Sequence, residues 1–286
     1  MKTRAIERVF RGSETFDGAG VRLLRVFGHR ETSLMDPFLL LDAFGSKDPS
    51  EYLPGFPWHP HRGIETVTYL LEGSVEHSDS LGNSGVIGPG DIQWMTAGSG
   101  IVHQEMPQAS PTGVRGFQLW VNLARAEKMR DGAYRGAIAA QIPETTHDEA
   151  RVKVIAGELG GVHGPLAGIS RSPSYFDVWM PPTGKSSFEA PQGRTCFAFI
   201  YEGSMAAPDG SKGSGAADTK EGDCVLFGDG ERVELRAGPK GARFLLVQGD
   251  PLREPIAWRG PIVMNTEAEL DIAFKEYATG KFVKTR

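Results

Sequence analysis

Two cysteines, Cys196 and Cys224, are all that the 286 residues contain. That is too few for a disulfide framework or a thiolate metal site, and both are expected as buried, reduced thiols. No run approaches the roughly 18 consecutive apolar residues of a membrane span. Met1 to Gly12 alternates charged and apolar residues without the apolar core of a secretory signal. No membrane partner is therefore expected, and the expected compartment is the cytoplasm, or the nucleus in a eukaryote. A basic excess is missing as well. The formal net charge of -5 gives no general attraction to phosphates, which argues against direct nucleic-acid binding. Helical periodicity is scarce. Turn formers are plentiful, with 37 glycines and 19 prolines, and so are histidines, seven in all with five before residue 104. The composition points to a strand-rich, turn-rich fold with room for an imidazole site in its first half.

The chain repeats itself. Val67-Thr-Tyr-Leu-Leu-Glu-Gly-Ser-Val75 is echoed by Phe197-Ala-Phe-Ile-Tyr-Glu-Gly-Ser-Met205 at an offset of 130. Gly88-Pro-Gly-Asp-Ile-Gln-Trp-Met95 meets Glu221-Gly-Asp-Cys-Val-Leu-Phe227 at an offset of 132. Two landmarks that keep nearly the same spacing imply two copies of one small β domain. Short runs rich in Val, Ile, Phe and Tyr, closed by Glu-Gly-Ser or Pro-Gly-Asp turns, are the pattern of antiparallel barrels or sandwiches. The expected division is 1–135 and 136–286. Two helices are expected, one near Ala124 to Tyr134 between the copies and a stronger one after Thr266. There Thr266 and Glu269 have capping-box spacing, and Leu270, Ala273, Phe274 and Tyr277 form an apolar stripe. Asp209 to Thr219, rich in Gly, Ser and Ala, reads as a hairpin loop.

The chemistry concentrates in two short pairs. His59-Pro60-His61 puts two imidazoles at i and i+2, which on a strand share one face. His103-Gln104-Glu105 repeats that geometry about forty residues later. A fold that pairs these strands inside a barrel would gather three imidazoles and one carboxylate, a donor set suited to a redox-capable divalent metal. A lone strand histidine is more often a satisfied or exposed residue, but two matched pairs in one repeat unit favour a shared ligand. Glu65 has the strand parity of His59 and His61, so it is a rival carboxylate or a partner that orients an imidazole. Arg62 is either a surface charge or the ion-pair partner of Glu65 or of the site mouth. His29, His77, His147 and His163 lack such neighbours and are expected to be structural or exposed. In the second copy the positions matching His59 and His61 hold Glu189 and Pro191, so that copy is expected to carry no metal.

Two long strings resemble signatures of the pirin family of two-domain cupins. They are Phe56-Pro-Trp-His-Pro-His-Arg-Gly-Ile-Glu-Thr-Val-Thr-Tyr-Leu-Leu-Glu-Gly73 and Pro89-Gly-Asp-Ile-Gln-Trp-Met-Thr-Ala-Gly-Ser-Gly-Ile-Val-His-Gln-Glu105. Supporting matches at Asp36 to Asp42, Phe117 to Leu123 and Arg259 to Thr266 extend the resemblance over nearly the whole chain. It implies an all-β fold of two tandem cupin barrels (double-stranded β-helix or jelly roll) with a C-terminal helix. It also implies that His59, His61, His103 and Glu105 are the metal ligands, usually for iron, Fe(2+). Nickel, copper, cobalt, manganese and zinc suit the same donors. In the general cupin pattern the nearer carboxylate, here Glu65, joins the metal; in pirins that role falls to the later one, here Glu105.

Some pirins are similar to quercetinases, which open the central ring of a flavonol with O2 and release carbon monoxide. The resemblance thus implies a dioxygenase whose partners are a planar aromatic molecule and O2, with Glu105 as proton acceptor. Phe56, Trp58, Met95 and Phe117 are candidates to line its apolar pocket, although ordinary core or rim roles are as good a reading for each. The alternative is an iron- or redox-sensing transcriptional co-regulator that binds a protein partner and turns nothing over.

Overall fold

The computed structural model describes residues 1–206 and 219–284. The loop expected at Asp209 to Thr219 lies outside the described residues except for Thr219. The chain forms two compact units. One comprises Met1–Gly12 with Ala140–Pro251, the other Ser13–Ala139 with Leu252–Arg286. This differs from a simple cut at 135. The first strand, Ile6–Arg11, hydrogen-bonds to Asp223–Phe227, and the last helix packs against strands Ala257–Arg259 and Ile262–Met264 of its own unit, so each terminus belongs with the half of the sequence farther from it. A terminal strand finds its backbone partners by pairing, whatever its sequence distance.

The repeat is visible strand by strand. In the second unit the order across the large sheet is Ala133–Ala137, Ile92–Thr96, Ile64–Glu72, Val114–Asn122, Phe38–Ser46, Val21–Phe27 and Ser13–Asp17. In the first it is Ile6–Arg11, Asp223–Phe227, Thr195–Met205, Arg232–Gly249, Ser174–Met180, Ala150–Ala156 and Glu144–His147. The two echoed sequence strings thus occupy equivalent strands, and Ile6–Arg11 fills the edge that Ala133–Ala137 fills in the other unit. A four-stranded sheet of Phe56–His61, Ile101–Pro107, Val75–Asp79 and Ser84–Ile87 completes the second unit. The all-β, two-barrel architecture with a C-terminal helix is as expected.

Each barrel closes on its own apolar interior. Val152, Val178, Phe188, Val225 and Phe244 meet in the first unit, and Leu39, Ile64, Met95, Ile101 and Val263 in the second. Both cysteines are buried, free thiols, and burial pushes Cys196 up to about 12. They are inert rather than reactive. Glu267–Ala278 is the expected helix. Thr266 Oγ1 accepts from the Glu269 amide and the Glu269 carboxylate accepts from the Thr266 amide, which satisfies two orphan donors reciprocally. Leu270 and Ala273 are buried, whereas Tyr277, placed on the same stripe by spacing, is exposed.

The helix expected near Ala124 to Tyr134 is absent. That stretch is a set of turns leading into strand Ala133–Ala137. A helix would have carried the Lys128 side chain out with its polar face. Instead the ammonium is drawn into the protein by three acceptors, and that tertiary demand overrides local propensity.

Candidate metal centre

Strand Phe56–His61 pairs antiparallel with Ile101–Pro107, and the register sets His59 opposite His103 and His61 opposite Ile101. Alternation then sends His59, His61 and His103 to one face. Ring centroids lie 4.8 Å (His59–His61), 4.4 Å (His59–His103) and 5.1 Å (His61–His103) apart. Ring nitrogens of the three lie within 4.8 Å of one another.

The proton positions follow from the neighbours. His59 Nδ1 donates to the carbonyl of Pro57 at 2.8 Å, and His61 Nδ1 donates to the carbonyl of Pro261 at 3.0 Å. A neutral imidazole with Nδ1–H carries a lone pair on Nε2, yet these two Nε2 atoms face each other at 3.0 Å. Two lone pairs at that distance repel unless a cation lies against them. His103 strengthens the case, because neither of its buried ring nitrogens has a hydrogen-bond partner among the described residues. Buried polar atoms are nearly always satisfied, so nitrogens left bare in a histidine cluster are what a metal-ligand set looks like without its ion. Burial also keeps two of the rings, His61 and His103, neutral. It draws His61 down to about 3, helped by His59, and His103 well below the usual imidazole range. Neutral imidazole is the ligating form. The residues fit a divalent ion.

Glu105 shares the strand and face of His103 but lies outside the three-nitrogen group. Thr68 Oγ1 donates to its Oε1 at 3.0 Å, and Gln118 Nε2 donates to its Oε2 at 3.1 Å. Burial raises its pKa above the ordinary carboxylate range, although His59, Thr68 and Gln118 oppose the shift. It is a carboxylate held by two neutral donors beside the imidazoles, able both to complete a ligand set and to take up a proton.

Glu65 is engaged elsewhere. It sits on strand Ile64–Glu72 with parity opposite to Thr68, lies outside the group of His59, His61 and His103, and accepts from Trp94 Nε1 at 3.0 Å and Thr96 Oγ1 at 2.7 Å, with no bond to an imidazole among the described residues. Arg62 does not pair with it. The Arg62 guanidinium donates to the carbonyls of Ser99 and Phe282 and to Glu276 of the last helix, which fastens the C-terminal segment beneath the histidine strand. His77 bonds to Gln93 and His147 to the carbonyl of Ser187.

A cavity of about 600 Å³ opens beside the cluster, with His59, His61, Glu105, Thr68 and Gln118 in its wall. Of the four expected lining residues only Phe56 takes part. Trp58 is half exposed outside it, Met95 is buried in the barrel core, and Phe117 stacks on Tyr69 across the other face of its strand. Phe44, Tyr52, Trp120 and Trp258 join Phe56 as the cavity's aromatic wall, with the Trp120 ring edge-on to His61 at 5.0 Å. Parity within Phe117-Gln-Leu-Trp120 offered a signal, because only one face of that strand can look into the cavity. Trp258 and Pro261 arrive from a segment some 200 residues downstream, and nothing in the sequence beside them ties them to the histidines.

Comparison with known proteins gives a consistent picture. The Pirin family model matches residues 20–121, and the Pirin C-terminal cupin domain model matches residues 175–283. A pirin-like protein of Caulobacter vibrioides is 44% identical over 99% of this chain and 100% of its own length. Human pirin is 40% identical over 94% of this chain and 90% of its own. Among solved structures, a quercetin 2,3-dioxygenase from Acinetobacter baumannii superimposes with a TM-score of 0.88 at 32% identity, covering 98% of each chain.

Proposed function

Since this chain belongs to the pirin family, we propose that its histidine cluster is the centre of a metal-dependent dioxygenase that opens the central ring of a flavonol with O2. His59, His61 and His103 hold the ion, Glu105 stands as fourth ligand or proton acceptor, and iron(II) is the ion we expect. Bound there, the ion supplies a Lewis acid and an electron path between an electron-rich aromatic molecule and O2. The observation that carries the reading is the pair of facing Nε2 lone pairs, with His103 bare beside them, at the wall of a cavity large enough for a planar three-ring molecule.

The protein groups divide the remaining work. Pro57 and Pro261 fix the tautomers that turn Nε2 of His59 and His61 toward the site. Trp120, Trp258 and Phe56 offer flat apolar surface and keep water from the reacting face. Glu105, made more basic by burial, accepts the proton of the flavonol hydroxyl, while Thr68 and Gln118 hold its two oxygens in place.

The test is anaerobic loading with iron(II), and in parallel with nickel, copper, cobalt, manganese and zinc. Metal content is measured per chain, then O2 uptake and loss of flavonol absorbance are followed in wild type and Glu105→Gln. About one ion per chain, equimolar consumption of flavonol and O2, and a roughly 10²- to 10⁴-fold fall in the variant are expected. A loaded protein that binds flavonols yet consumes no O2 with any of these ions would defeat the reading in favour of a ligand-binding regulator.

A further inference from the structure

The cavity has a second polar pole that the chemistry above does not use. Cross-strand register creates it. Thr68 pairs with Gln118, Gln118 with Asp42, and Asp42 with Arg25, so four adjacent strands each place one polar side chain in a single row on the cavity face. Glu105 stands at the near end, bonded to Thr68 and Gln118. At the far end Arg25 Nε and Nη2 donate to the two oxygens of Asp42 at 2.9 and 2.8 Å, and Nη2 also donates to Asp17 Oδ2 at 2.7 Å. Three strand spacings, about 14 Å in all, separate Thr68 from Arg25.

The neighbouring wall positions Leu23, Leu40 and Phe44 are apolar. An ion pair set among them contributes little to stability over well-packed apolar residues, so the fold gains little from charge at this spot. The Asp42 side chain is 7% exposed, whereas those of Arg25 and Asp17 are 33% and 51% exposed and remain within reach of a ligand. Arg25 Nη1 takes no part in the three bonds named, which leaves a donor for an oxygen atom. Two carboxylates around one guanidinium leave the trio with a charge of −1. It therefore favours a neutral group that donates a hydrogen bond and disfavours an anionic one.

We infer that Asp17, Arg25 and Asp42 form a subsite that selects neutral hydroxyl groups on the end of the aromatic substrate remote from the metal. The inference rests on the reading of this cavity as the substrate site and narrows it. The substrate class is a flavonol with free phenolic hydroxyls on its outer ring, rather than one with that ring bare or esterified by sulfate. A hydroxyl there donates to Asp17 and accepts from Arg25, while Asp42 holds the guanidinium in place.

Binding without turnover tests it. Metal-loaded protein, kept free of O2, is titrated with flavonols that carry no, one or two hydroxyls on the outer ring and with the outer-ring sulfate ester, and Kd is read from quenching of tryptophan emission. Wild type should bind the dihydroxy compound about 10-fold or more tighter than the unsubstituted one, the worth of a hydrogen bond to a charged group, and bind the sulfate ester worst. In Asp17→Asn the preference should shrink several-fold and the sulfate ester gain affinity. Arg25→Lys, which keeps the charge but loses the paired geometry, should also flatten the series. Equal Kd values across the wild-type series, or a preference that survives in Asp17→Asn, would overturn the subsite and leave the dioxygenase reading standing. Failure of every flavonol to bind would bring down that reading and the subsite with it.

Discussion

Lys128 is the residue whose removal should reveal most about how the site is held. Its side chain is almost fully buried, and its ammonium form donates to the Gly63 carbonyl at 2.9 Å, Asn122 Oδ1 at 2.6 Å and the Val263 carbonyl at 3.1 Å. Gly63 follows His61 by two residues, and Val263 follows by two the Pro261 that accepts from His61. The amine thus clamps together both segments that aim this imidazole. At pH 9 the neutral amine has two N–H groups for its three acceptors, so Lys128→Met leaves two of them short of a donor at about 1–3 kcal/mol each. Gly63 keeps its bond from the Leu123 amide, which softens the loss. About 2–4 kcal/mol at pH 9 is the expected destabilisation.

The pH dependence of that loss is the sharper test. Burial lowers the Lys128 amine from 10.5 to about 7, with Glu254 and Glu269 opposing the shift. Between pH 7 and 10.5 the unfolded chain therefore holds a proton that the folded chain has released, and this group's contribution to stability rises with pH across that window. Lys128→Met abolishes the titration. Its deficit relative to wild type should grow by about 2–3 kcal/mol from pH 7 to pH 9, at close to 1.4 kcal/mol per unit. Urea unfolding of metal-free wild type and variant across that range measures the difference, in which other titrating groups cancel. The variant should also bind metal about 10- to 100-fold more weakly. A deficit that stays flat from pH 7 to pH 9 would show that the three acceptors keep the ammonium charged in the fold and would refute the reasoning.

Two further substitutions probe the same framework. Gly63 has φ +77°, and a Cβ there would lie 2.0 Å from the Val263 carbonyl oxygen, so Gly63→Ala should lower the melting temperature by several degrees and reduce metal per chain, both measurable on one preparation. Arg62→Met removes bonds to Ser99, Phe282 and Glu276 and the stacking of the guanidinium 4.3 Å from the Phe282 ring centroid; it should cost about 2–4 kcal/mol and make the chain beyond Ala278 the first site of limited proteolysis.

What could be read in the sequence divides along the range of the interactions. Two imidazoles at i and i+2 point the same way on any strand, so the facing of His59 and His61 is a local fact. That His103 lies opposite them needed only the pairing of two neighbouring strands. The capping box of the last helix is equally local. Glu65 shows where such reasoning fails. Its parity with His61 carried across Arg62 and Gly63 only if the chain ran straight, but Gly63, at positive φ, breaks the strand, and Glu65 enters the next one facing Trp94 and Thr96. Lys128 fails for the complementary reason. Nothing beside it in sequence marks it as buried, because its three acceptors come from residues 63, 122 and 263. Gln118, Asp42 and Arg25 fall into one row only once three strand pairings are known. The donor set of this centre is written in short segments, whereas the tautomers, the clamp and the shape of the cavity come from register and from residues 252–286 lying in the same unit as the histidines. Substitutions in that distant segment should therefore alter metal affinity without touching a ligand, and those among the ligands should alter it without unfolding the barrel.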